Sequence, residues 1–94
     1  MAVYTQDPNE IIDYHIDWSS YLTSIGGATV STVSVTADTG LVIDSSSNTT
    51  TYTTSRISIS GAEADKIYNV IHEADLSDGT VRRWSFGIQV REVG

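Results

Sequence analysis

The chain has no cysteine, one proline, one phenylalanine and one methionine among its 94 residues. Without cysteine there is no disulfide, no thiolate metal site and no thiol nucleophile. That argues against a disulfide-stapled secreted module and fits folding in a reducing cytoplasm. Cations are scarce as well: five Lys and Arg stand against twelve Asp and Glu, a net charge of −7. Arg56, Lys66, Arg82, Arg83 and Arg91 form no stripe. Nucleic acid is therefore not an expected partner, because binding it needs a basic footprint. No apolar run approaches the roughly 20 residues that span a bilayer. The first residues also lack the basic-then-apolar pattern of a signal peptide, so no membrane partner is expected.

What is abundant is hydroxyl. Ser and Thr make up about a quarter of the chain, while helix formers are few. Such composition reads as all-β. The one proline, Pro8, follows Asp7 and marks a turn, since the residue before proline is pushed out of the α region. Tyr14, Ile16 and Trp18 then alternate with His15 and Asp17, as on the two faces of a strand. Ser19 to Ile25 reads as one helical turn or a loop, capped by Asp17 or Ser19 and broken by Gly26-Gly27. Ala28 to Ala37 is the next strand. Val30 is out of phase with Val33, Val35 and Ala37, which a bulge between Val30 and Val33 reconciles. Asp38-Thr39-Gly40 is a turn, Leu41 to Ile43 a short strand, and Asp44 to Asn48 a polar loop. Thr49 to Ser60 is a longer strand with Ile57 and Ile59 inward. Ile67 to Ala74 and Val81 to Val93 form a hairpin around Ser77-Asp78-Gly79, since Asp-Gly between alternating runs favours a tight turn. In the last strand Trp84, Phe86, Ile88 and Val90 mark the core face. Six or seven strands with turn signals about every ten residues predict an immunoglobulin-like (fibronectin-III-like) antiparallel β-sandwich. It is expected to fill residues 1–94 as one domain, with 1–9 as a candidate extended N-terminal arm.

Few residues suggest chemistry. His15 is flanked by Asp13 and Asp17, the arrangement of a general base with its carboxylate, or of a carboxylate-stabilised surface histidine. His72 is expected to be partly buried, or to sit at the hairpin rim near Glu73. Asp7, Glu10, Asp13 and Asp17 cluster early, but they are spread along a strand and lack the loop spacing of a calcium site. There is no Gly-x-Ser-x-Gly elbow, and Gly26-Gly27 lacks the Lys-Ser/Thr of a phosphate loop. No catalytic residue, metal or cofactor is therefore expected. Asn48-Thr49-Thr50 matches a glycosylation triplet, a pattern that recurs by chance in Thr-rich chains. Tyr14 and Trp18 read as core, whereas Tyr21 reads as a contact residue.

The block Tyr4-Thr5-Gln6-Asp7-Pro8, with Asp13-Tyr14-His15-Ile16-Asp17-Trp18-Ser19-Ser20-Tyr21-Leu22, resembles a family of small tailed-bacteriophage proteins. These are fibre–tail adaptors or Ig-like virion proteins. Thr36 to Ser45, Ile67-Tyr68-Asn69-Val70 and Arg82 to Arg91 resemble later family segments, so the likeness spans almost the whole chain. The Thr-rich Thr49 to Thr54 and the pair Ile71-His72 depart from it. The resemblance implies a non-enzymatic virion protein of the neck or tail. It would be made in the host cytoplasm, be present in multiple copies, and bridge the connector (portal adaptor) and tail fibre. Val3, Tyr4, Tyr21 and Leu22 are the expected protein contacts. The other reading is a glycan- or surface-binding Ig-like module with Trp18 and Tyr21 as a stacking platform.

Overall fold

The computed structural model describes residues 2–92. Seven strands and one short helix follow in the order β1 (Val3–Gln6), β2 (Ile12–Asp17), α1 (Ser19–Ser24), β3 (Val30–Ala37), β4 (Leu41–Asn48), β5 (Tyr52–Ile59), β6 (Ile67–Leu76) and β7 (Val81–Val90). They build a β-sandwich. One sheet runs β1-β7-β6-β3 and the other β2-β5-β4. All pairings are antiparallel except β1 with β7, which is parallel.

Local chemistry explains the boundaries. Asp7 starts the turn after β1: its carbonyl accepts from the Glu10 N–H, its carboxylate from the Asn9 N–H, and its own N–H donates to the Glu10 carboxylate. Two of the early carboxylates, Asp7 and Glu10, thus serve this turn. The β6–β7 hairpin turns through Ser77–Gly79. Leu76 N–H donates to the Thr80 carbonyl, Gly79 takes φ +87°, and Asp78 accepts from both Thr80 donors. Those bonds hold the Asp78 carboxyl below its ordinary range. The expected bulge in β3 lies between Val30 and Thr32. The predicted polar loop at Asp44–Asn48 is instead strand. A second irregularity between Ile43 and Ser45 lets β4 continue along β5 to Asn48. Backbone pairing across the sheet outweighs the weak strand preference of a Ser-rich run.

Gly40 joins the two sheets, because β3 and β4 belong to different ones. Its φ is +116°, and an added Cβ would lie 3.0 Å from Tyr68 Cε1 and 3.2 Å from Ala62 Cα. Gly40→Ala should therefore lower stability by about 2 kcal/mol, from backbone strain plus overpacking. Urea unfolding measures it.

The core has two parts. Tyr14, Leu41, Ile57, Val70, Phe86, Ile88 and Val90 fill one end. Trp18, Leu22, Val30, Ala74 and Leu76 fill the other, beneath α1. Ile16 touches both. Two polar systems are sealed among these apolar residues. In the first, Gln6 is fully buried. Its Nε2 donates to the carbonyls of Glu10 and Ile57, and its Oε1 accepts from Tyr14 OH, each at 2.9 Å. Gln6 thereby ties β1 across the sandwich to β2 and β5. Burial pushes the Tyr14 phenol up to about 12. In the second, fully buried His72 lies 2.8 Å from Thr53 Oγ1 through Nδ1 and 2.8 Å from Ser55 Oγ through Nε2. Trp18 Nε1 donates to the same Thr53 oxygen at 2.9 Å. A neutral imidazole uses one ring nitrogen as donor and the other as acceptor, so both hydroxyls are engaged in either tautomer.

Candidate functional site

A groove of about 700 Å³ opens along one side of the sandwich, between β2 and the first half of β7. Among the described residues β1 pairs with β7 from Gly87 to Val90, and the groove lies beside the part of β7 that precedes it. β2 is an outer strand that pairs with β5.

Aromatic side chains line this opening. Tyr4, Tyr14 and Phe86 form a cluster with ring centroids 5.1–5.7 Å apart. Trp18 meets Tyr21 edge-on at 6.5 Å. Trp84 stands beside Phe86 on the same face of β7 and is 52% exposed. It was expected in the core with Phe86, Ile88 and Val90, and those three are buried. Trp84 is not, because it lines the groove at the margin of the core. The Arg82 guanidinium lies 4.7 Å from the Tyr21 ring centroid, a cation–π contact at the helix end. Asp13, His15 and Asp17 form the β2 rim.

The rim groups are engaged separately. Asp13 forms a bidentate pair with Arg56 at 2.8 and 3.1 Å, which holds its carboxyl below the ordinary range. Asp17 accepts from the Ser19 N–H, with the same effect on its carboxyl. It does not cap α1 in the predicted manner, because Trp18 occupies the N-cap without a side-chain cap bond. His15 Nδ1 meets Thr54 Oγ1 at 2.8 Å. His15 thus turns to a cross-strand threonine and not to either aspartate, so the residues of an acid–base pair are present without its geometry. Among the described residues no group of three or more His, Asp or Glu could hold a metal ion.

Of the expected contacts, Val3 and Tyr4 are about half exposed on β1, and Tyr21 is half-buried on α1. Leu22 is a correction. It is 3% exposed, because the inner face of α1 packs it against Trp18, Val30, Ala74 and Leu76. Trp18 is buried to the same degree and cannot serve as a stacking platform. The segment expected as a free arm is also corrected in form, since Val3–Gln6 are a strand of the larger sheet locked by Gln6. Trp84 and Arg82 were missed as site residues. Alternation placed Trp84 on the inner face, but nothing local says where the neighbouring strand stops.

The family model for the podophage GP4 fiber-tail adaptor protein gp77 matches residues 6–89. The chain belongs to that family. This adaptor is accordingly a structural protein of the phage virion tail, and every groove-lining residue except Tyr4 lies in the matched region. No curated protein matches its sequence. The adaptor's two departures from the resemblance explain each other. His72 is the buried group, and the Thr-rich strand supplies the Thr53 hydroxyl that, with Ser55, satisfies it.

Proposed function

We propose that this chain is a non-enzymatic adaptor that bridges the connector and the tail fibre, acts in multiple copies per particle, and is made in the host cytoplasm. The family match over residues 6–89 carries this reading. The rigid sandwich, with an aromatic groove on one side, supports it. Val3, Tyr4 and Tyr21 are the proposed protein contacts: Tyr4 and Tyr21 line the groove, and Val3 is half exposed on the same strand as Tyr4. Deleting residues 2–8 is a poor test of them, because it also removes the buried Gln6. Point changes are cleaner. Particles lacking the chain should lack fibres, and purified wild-type chain should restore them, counted by electron microscopy. Val3→Ser and Tyr21→Ala should each reduce restoration without shifting thermal unfolding by more than about 4 °C, the effect of roughly 1 kcal/mol in so small a domain. Fibres that attach without the chain would end the adaptor reading.

Half-exposed Trp84, which lines the groove together with Tyr21, favours a second reading, a glycan- or surface-binding module. Glycan-array binding lost on Tyr21→Ala, with fibre attachment unchanged, would select it.

A further inference from the structure

The groove differs from the rest of the chain in its charge balance. Asp13, Asp17 and Arg82 line it, and Arg56 neutralises Asp13 through their bidentate pair. Two carboxylates thus meet two guanidinium groups at the groove, and the net charge of −7 belongs to the rest of the chain. Like charge elsewhere repels a second copy, whereas this face carries no such net repulsion. Its two signs also sit near each other, because both border α1. Asp17 accepts from the Ser19 N–H, and Arg82 lies over the Tyr21 ring. A face that offers both an acid and a base can complement itself across a two-fold axis.

The apolar part of the face has the same double character. Trp84 is 52% and Tyr4 48% exposed, and both line a recess that Tyr14 and Phe86 also line. Each copy therefore carries an exposed ring to bury and an aromatic groove that can receive one. Trp, Tyr and Arg are the side chains that most often dominate contact energies. Arg82 is already held on Tyr21, so pairing it with a carboxylate orders little more of its side chain.

We infer that two copies of this chain pair through this groove about a two-fold axis. Trp84 of each lies in the groove of the other, and Arg82 of each faces Asp17 of the other. The inference rests on the multi-copy adaptor reading and names the groove's partner as the chain itself. A strongly basic or acidic stranger gains little from a balanced face, whereas a second copy presents the matching balance.

Sedimentation equilibrium of the purified chain tests it. The wild type should form a dimer whose population rises with concentration. Trp84→Ser should weaken that dimer at least about thirtyfold, since a central contact aromatic counts for that much and a two-fold contact loses it twice. The half-exposed position should leave the circular-dichroism spectrum unchanged. Asp17→Lys and Arg82→Glu should each weaken the dimer at least about tenfold, because like charges then face each other. Mixing those two variants should restore pairing as a heterodimer, a recovery that a folding defect does not give. A wild type that stays monomeric would overturn the inference, as would dimers that all three variants leave unchanged. A monomer that binds oligosaccharides through Trp84 would overturn it in favour of the glycan reading. A monomeric wild type that still restores fibres leaves the adaptor role standing. A dimeric wild type that restores none would count against the adaptor role and not against the pairing.

Discussion

Thr53→Val should destabilise the protein by about 3 kcal/mol, although it changes neither side-chain shape nor volume by much. Thr53 Oγ1 serves two buried partners, Trp18 Nε1 at 2.9 Å and His72 Nδ1 at 2.8 Å. Valine satisfies neither. Each orphaned buried group costs roughly 1–3 kcal/mol, and the added methyl returns only part of that. Equilibrium urea unfolding measures the change, with the midpoint falling at constant slope. A loss under about 1 kcal/mol would mean that water reaches one of the two partners. The double variant with Trp18→Phe tests the mechanism. Phenylalanine has no N–H to orphan, so the two losses should be less than additive. The network also joins the two halves of the core, since Trp18 belongs to one cluster and His72 packs edge-on against Phe86 of the other at 5.6 Å.

The second large effect is acid sensitivity in an unusual window. Burial pushes the His72 pKa down from 6.5 to about 4. The unfolded chain therefore takes up a proton between those values that the folded chain refuses. Stability is full above about pH 6.5, falls as pH drops, and levels off below about pH 4. The difference of 2.5 pKa units amounts to about 3 kcal/mol. The carboxylates of Asp13, Asp17 and Asp78 are held low by their partners, so their stabilisation fades only as pH falls through the carboxylate range and below. The interval from pH 4.5 to 6.5 belongs mainly to His72. His72→Gln retains an acceptor and a donor but cannot titrate, and it should flatten the stability profile there. Thermal unfolding at closely spaced pH values decides the matter. An equally steep profile in His72→Gln would assign the effect to other groups.

Much of the fold was readable residue by residue. Alternation in Tyr14–Trp18 and Phe86–Val90 identified the buried faces of two strands, because side-chain period and burial coincide there. The Asp-Gly turn and the phase slip after Val30 were legible for the same reason: each is local. The site was legible only in part. Tyr4 and Tyr21 were picked out and do line the groove, but Trp84 and Arg82 were assigned elsewhere. His72 was expected to be partly buried and is fully enclosed, with its hydroxyl partners on a strand 17 and 19 residues earlier. Nothing in a Thr-rich stretch reveals which hydroxyl points inward until the facing sheet is known.

The amino-acid order by itself therefore settled the all-β class, the turns, most strand faces and the acidic, cysteine-free surface. These depend on contacts between near neighbours, on φ preferences and on charge. Tertiary structure decided how far β1 runs along β7, that Gln6 and His72 would be sealed inside, that Leu22 would face the core, and that Trp84 would stay exposed. Those outcomes depend on where one sheet edge ends against another. The groove is where these outcomes meet: Tyr4 of β1, Tyr14 of β2, Tyr21 of α1 and Trp84 of β7 all line it.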